Sequence, residues 1–124
     1  MILGIGIDLV DVRRIEAIIF RWQERFLRRI FTDQEIARCN NKKNPAQRFA
    51  TRYAAKEAVF KALYPKGTEG ICMLDIEIDE AKNRPVVHLY RKCQADAEAL
   101  GVKKIFLMLS HDGNYGVAQV ILEG

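Results

Sequence analysis

The rhythm of hydrophobic and polar positions changes several times along this 124-residue chain. Near the start, Ile5, Ile7 and Leu9 alternate with Gly4, Gly6 and Asp8. A period of two predicts a strand with one apolar face and one bare face that ends on Asp8. The missing side chains at Gly4 and Gly6 leave room for another element to pack close. From Asp11 to about Ile30 the rhythm becomes helical, with Ile15, Ile18, Ile19, Trp22, Phe26 and Ile30 recurring at steps of three and four. This spacing fits one helix or two shorter ones. Thr32 and Glu35 have the spacing of a capping box that opens a short helix. Asn40 to Pro45 is a loop by composition. Residues 46 to 64 form the longest predicted helix, stopped by Pro65 and Gly67.

The second half reads as β-rich. Leu74, Ile76 and Ile78 alternate with Asp75, Glu77 and Asp79, predicting a half-exposed strand. Asn83-Arg84-Pro85 is a turn before a strand over 86–90, and residues 91–100 form a helix stopped by Gly101. Strands over 105–110 and 115–122 are joined around Asp112-Gly113, a hairpin signal. Phe106 and Met108 alternate with Ile105, Leu107 and Leu109, so both faces of that strand are apolar and both need cover. The expected fold class is α+β, one domain over residues 1–124, with a mainly antiparallel sheet packed against one long helix.

Composition narrows the function classes. Hydrophobic residues at 49% and charged residues at 29% exclude a disordered chain. No apolar run approaches the roughly 20 residues of a membrane span, and the apolar start is too short before Asp8 for a signal segment. Cys39, Cys72 and Cys93 are odd in number and scattered, which fits a reducing cytosol better than a disulfide framework. With only His88 and His111, zinc chemistry is not expected. The formal net charge of +4 leans toward an anionic partner.

Candidate chemistry concentrates in Arg52-Tyr-Ala-Ala-Lys56-Glu57-Ala-Val-Phe-Lys61, read together with Gly4-Ile-Gly6-Ile-Asp8. Glu57 and Lys61 have the spacing of an ordinary helical salt bridge. On a regular helix, however, Ala50, Ala54, Glu57 and Lys61 share one face, which is small for two turns and then charged. Small residues let a strand lie close, and a carboxylate buried there needs a cation or hydrogen bonds. Asp8 is a helix cap on the simpler reading. On the functional reading, Asp8 and Glu57 hold a hard cation such as Mg²⁺ and Lys61 reaches a phosphorylated group. Arg13, Arg14, Arg21, Arg25, Arg28 and Arg29 crowd one region that contains only Glu16 and Glu24 as acids. In a continuous helix Arg14, Arg21, Arg25 and Arg28 form a stripe beside Ile18, suited to an acidic amphipathic helix. Ser110-His111-Asp112 is not a catalytic triad, because consecutive residues on a strand and turn point different ways.

Gly6-Ile-Asp8, the Arg52 to Lys61 segment, and the late Ser110-His111 with Tyr115 together resemble holo-[acyl-carrier-protein] synthase, the small trimeric 4′-phosphopantetheinyl transferase of bacterial fatty-acid synthesis. The resemblance runs over essentially the whole chain. It implies the phosphopantetheinyl transferase fold and transfer of 4′-phosphopantetheine from coenzyme A to a serine of apo acyl carrier protein, releasing adenosine 3′,5′-bisphosphate. It implies Mg²⁺ on Asp8 and Glu57, and Lys61 on phosphate and leaving group. Arg52, Arg84, Pro85 and His111 are implied on the coenzyme side. Arg14, Ile18, Arg25, Phe26 and Arg29 are implied as the carrier surface. A cytoplasmic homotrimer follows from the same resemblance, with no membrane or nucleic-acid partner. Three candidates for the base stay open: Glu57, His111 and Asp112. Two segments depart from the family pattern. Tyr64-Pro-Lys-Gly-Thr-Glu-Gly70 replaces a glycine-threonine-glycine turn, and Asn83-Arg84-Pro85 replaces Gly-Lys-Pro. Asn tolerates positive φ, so the second turn can survive. The competing reading is a basic RNA-binding module using the arginine-rich segment and Lys42-Lys43. It leaves Asp8, Glu57 and Lys61 unexplained.

Overall fold

The structure is a computed structural model that describes residues 1–124. Five strands and five α-helices occur in the order β1 (Ile2–Asp11), α1 (Val12–Trp22), α2 (Glu24–Ile30), α3 (Asp33–Asn40), α4 (Pro45–Leu63), β2 (Ile76–Ala81), β3 (Arg84–Leu89), α5 (Arg91–Leu100), β4 (Lys104–Asp112) and β5 (Tyr115–Glu123), with a 3₁₀ turn at Met73–Asp75. All strand pairs are antiparallel, but they form two sheets, not one: β1-β5-β4 and the hairpin β2-β3.

Helix α4 lies across the three-stranded sheet, and the glycines mark where it touches. A Cβ at Gly6 would sit 1.9 Å from the Ala58 carbonyl oxygen, and one at Gly4 would sit 2.5 Å from that of Ala62. A Cβ at Gly116 would meet Thr51 Cγ2 at 2.9 Å. The bare face of β1 is therefore the one that enters the core, and only glycine admits the helix backbone there. Ala50, Ala54, Ala55 and Ala58 are fully buried on α4, so small residues on both sides make the close approach. The consequence is unusual for an apolar strand face. Ile5, Ile7 and Leu9 point away from the core and remain 56%, 57% and 66% exposed. Phe106 and Met108 of β4 continue this outer apolar face at 48% and 69%, as the two-sided pattern of that strand anticipates.

Two expectations need correction, and the open choice between one helix and two after β1 is decided. Strand β1 does not end at Asp8 but runs to Asp11, and it is Asp11 that caps α1, accepting from Arg13 N at 2.9 Å. The arginine-rich region is two helices, broken at Gln23 with φ 46°. The start of the second strand is not half-exposed. Asp75 and Glu77 are buried, and residues at the starts of α3 and α5 supply their partners. Arg91 Nε pairs with Asp75 at 2.6 Å, and Thr32 Oγ1 and Tyr90 Oη donate to Glu77 at 2.6 and 3.0 Å. The capping box at Thr32 and Glu35 is present, as are positive φ at Asn83 (62°) and the left-handed stop at Gly101 (86°).

Candidate active site

Asp8 continues the bare face of β1 after Gly4 and Gly6, so its carboxylate emerges beside the C-terminal half of α4. Lys61 Nζ meets Asp8 Oδ1 at 2.8 Å and also donates to the Ile7 carbonyl at 3.1 Å. This pair is partly open: the Asp8 side chain is 16% exposed and that of Lys61 51%. Glu57 stands one helical turn before Lys61 on α4. Tyr53 stands one helical turn before Glu57 on α4 and is half-buried. Burial first, then the Glu57 carboxylate, pushes its pKa above the usual tyrosine value, and Arg14 and Asp8 also act on it. Sequence reasoning overlooked Tyr53 as a site residue, although its spacing of four from Glu57 was visible.

The donor chemistry suits a particular kind of cation. No cluster of three or more His, Cys, Asp or Glu side chains is present, so the chain builds no protein cage of the zinc or calcium type. Two carboxylates with open surroundings fit Mg²⁺, which keeps most of its water and shares substrate phosphates.

A second group of residues gathers elsewhere. Arg52, Arg84 and Pro85 line a cavity of about 910 Å³, together with Lys42, Arg48 and Glu80. Arg52 is nearly buried and paired with Glu80. Asp8, Glu57 and Lys61 do not line this cavity. His111 belongs to neither group. It sits exposed on β4 with Nδ1 3.2 Å from Gln47 Nε2. Strand β5 separates β4 from β1, two interstrand spacings or roughly 10 Å. Within one chain, sheet order therefore sets His111 two strands away from Asp8.

The arginines sort themselves by partner. Arg13 is paired with Asp11, and Arg28 with Glu24 and Asp33. Arg21 stacks over Trp22 at 5.1 Å. Arg14, Arg25 and Arg29 pair with none of the chain's carboxylates. Ile18, Trp22, Arg25, Phe26 and Arg29 line one groove of about 780 Å³ at the α1–α2 bend, and Arg14 stands one turn before Ile18. The break at Gln23 replaces the straight stripe with this concave surface. Trp22, 46% exposed, is the wall residue that periodicity alone assigned to an apolar pattern.

The family model described as "4′-phosphopantetheinyl transferase superfamily" matches residues 4–119. The chain belongs to that family. It is a transferase of the holo-[acyl-carrier-protein] synthase kind, with the phosphopantetheinyl transferase fold. It is 44% identical to the holo-[acyl-carrier-protein] synthase of Koribacter versatilis over 124 residues, covering 99% of both chains. It is 40% identical to that of Geobacter metallireducens, covering 99% and 98%. Among solved structures, the synthase of Neisseria meningitidis superposes with a TM-score of 0.87 at 30% identity, with both chains fully covered. The Helicobacter pylori synthase, solved in complex with coenzyme A, superposes at 0.83 with 31% identity, covering 96% of this chain and 99% of that one. Family membership decides between the transferase and RNA-binding readings of the basic charge. No helix is long and apolar enough to cross a membrane.

Proposed function

We propose that the whole chain acts as one domain that moves 4′-phosphopantetheine from coenzyme A to a serine hydroxyl of apo acyl carrier protein, releasing adenosine 3′,5′-bisphosphate. The observation that carries this reading is the half-open Asp8–Lys61 pair, with Glu57 one turn away, built where two glycines bring strand and helix together. Asp8 and Glu57 would hold Mg²⁺. When bound, the ion supplies positive charge to the pyrophosphate of coenzyme A. The serine oxygen attacks the β-phosphorus in line, and the bond to the leaving adenosine phosphate breaks. Lys61, already aimed by the Ile7 carbonyl and Asp8, places its ammonium where charge builds on the leaving oxygen. Tyr53 stands one helical turn before Glu57 on α4. Arg14, Arg25 and Arg29 offer guanidinium groups free of internal partners to an acidic carrier helix, and Ile18, Trp22 and Phe26 give it apolar contact.

Arg52, Arg84, Pro85 and His111 serve the coenzyme from a second chain. Two separate half-sites in one chain, and an outer sheet face that exposes Ile5, Ile7, Leu9, Phe106 and Met108, favour a homotrimer in the cytoplasm that joins the half-sites of neighbouring copies. The experiment is transfer to apo carrier protein, read as a mass increase with coenzyme A and Mg²⁺, and its loss with a chelator. Asp8→Ala and Arg52→Ala are each expected to be inactive alone. Mixed oligomers of the two should recover activity, because one interface in such a mixture carries both intact halves. No recovery on mixing, with mixing verified, refutes the shared site.

A further inference from the structure

We infer that Glu80 is the resident counter-anion of Arg52, and that coenzyme A must displace it to bind, so that this one carboxylate sets the chain's affinity for its substrate. The inference rests on the reading that Arg52 contacts coenzyme phosphate. Glu80 occupies a core-facing register. Ile76, Ile78 and Glu80 fall on one side of β2, and the two isoleucines are 0% and 1% exposed. A carboxylate at the end of such a row is unfavourable unless a cation meets it, and Arg52 does. Arg52 needs the partner equally, since its side chain is only 8% exposed and an unpaired buried guanidinium is costly.

Glu80 is the only acidic residue lining the cavity, against Lys42, Arg48, Arg52 and Arg84. Neighbouring Asp79 cannot replace it. Asp79 is committed to Arg38, to His88 Nε2 at 3.1 Å, and to the Glu80 N–H at 2.7 Å. Lys42, Arg48 and Arg84 have no carboxylate partner in the chain. The cavity is thus cationic at its rim and neutralised only at its deepest guanidinium. A phosphate that takes over the Arg52 donors releases Glu80 toward solvent, where its side chain is already 30% exposed. If Arg52 is free of Glu80 in about one molecule in ten, apparent affinity is lowered about tenfold.

The test is calorimetry with coenzyme A on the intact protein. Glu80→Gln should bind about tenfold more tightly than wild type, with Glu80→Asp between them. Coenzyme A should also raise the melting temperature of Glu80→Gln by more than it raises that of wild type. The melting comparison covers the case in which the unliganded variant is only partly folded. Unchanged or weaker binding by both variants, without the larger melting shift, overturns the inference. Arg52→Ala separates the two levels of the argument. If it leaves coenzyme A binding intact, the underlying assignment of Arg52 fails. If it weakens binding while Glu80→Gln does not strengthen it, only the role of Glu80 fails.

Discussion

Lys56 and Lys61 belong to one helix and one sequence motif, yet they occupy opposite environments. The Lys56 side chain is 0% exposed, paired with Glu35 Oε1 at 2.6 Å, and donates to the carbonyls of Ile30 (2.7 Å) and Met73 (3.1 Å). Three acceptors meet its three protons, so nothing remains for a ligand. Glu35 is equally committed, accepting from the N–H groups of Thr32 and Ile78, both at 2.8 Å. Burial holds the Lys56 pKa below the ordinary lysine value despite the attraction of Glu35. Lys61 has two acceptors, Asp8 and the Ile7 carbonyl, and stands half in solvent. The first lysine binds the end of α2 and the segment after α4 to the core. The second has a donor to spare and room for a substrate. Residue type is the same in both places, and partner count separates a fully committed lysine from one with capacity for a ligand.

The largest effect is expected at the sealed end. Lys56→Met leaves Glu35 buried without its cation, which costs about 3–5 kcal/mol, read as a fall in the unfolding midpoint. Adding Glu35→Gln should return part of that loss, because the uncompensated charge is gone. A single variant of near wild-type stability would remove the contrast at its root.

Next comes the open end. Lys61→Ala should lower kcat by roughly 10²–10³-fold, as loss of one transition-state donor does. Stability should change by less than about 1 kcal/mol, since an exposed pair contributes little. Equal small changes in rate and stability would make Lys61 an ordinary surface ion pair.

The smallest effect tests an ion pair whose carboxylate is more exposed than Asp8. Asp96 accepts from Tyr64 Oη at 2.5 Å and pairs with Lys92 at 3.0 Å, and the Tyr64 hydroxyl above all holds its carboxyl below the usual value of 3.8. A lowered folded pKa contributes stability that is complete above the unfolded value and lost as pH falls through the folded one. Tyr64→Phe should therefore lower stability slightly at neutral pH, leave it nearly unchanged at low pH, and so flatten the acid limb of the stability profile. An acid limb identical to wild type would show that this hydrogen bond does not discriminate between the two protonation states.

Much of this molecule is written in local pattern. The period-two start, the helical runs, the Thr32–Glu35 box, the long α4 with its alanine face and the turn before Tyr115 all follow from steric and hydrogen-bonding rules that act within a few residues. Gly4 and Gly6 announced a close approach because no other residue allows it. The Asp8, Glu57 and Lys61 set was legible for the same reason: two local patterns each ended on a charged residue. Only the fold decided what covers what. It placed the bare face of β1 inward and its isoleucines outward, sealed Asp75 and Glu77, bent the arginine region at Gln23, and set His111 beyond β5. It buried Lys56 and left Lys61 open. These outcomes depend on contacts between segments distant in sequence, such as Lys56 with Ile30 and Glu35, or Arg52 with Glu80. Periodicity tells which side of an element is apolar, but not which other element will meet it, and burial and partner count are properties of that meeting.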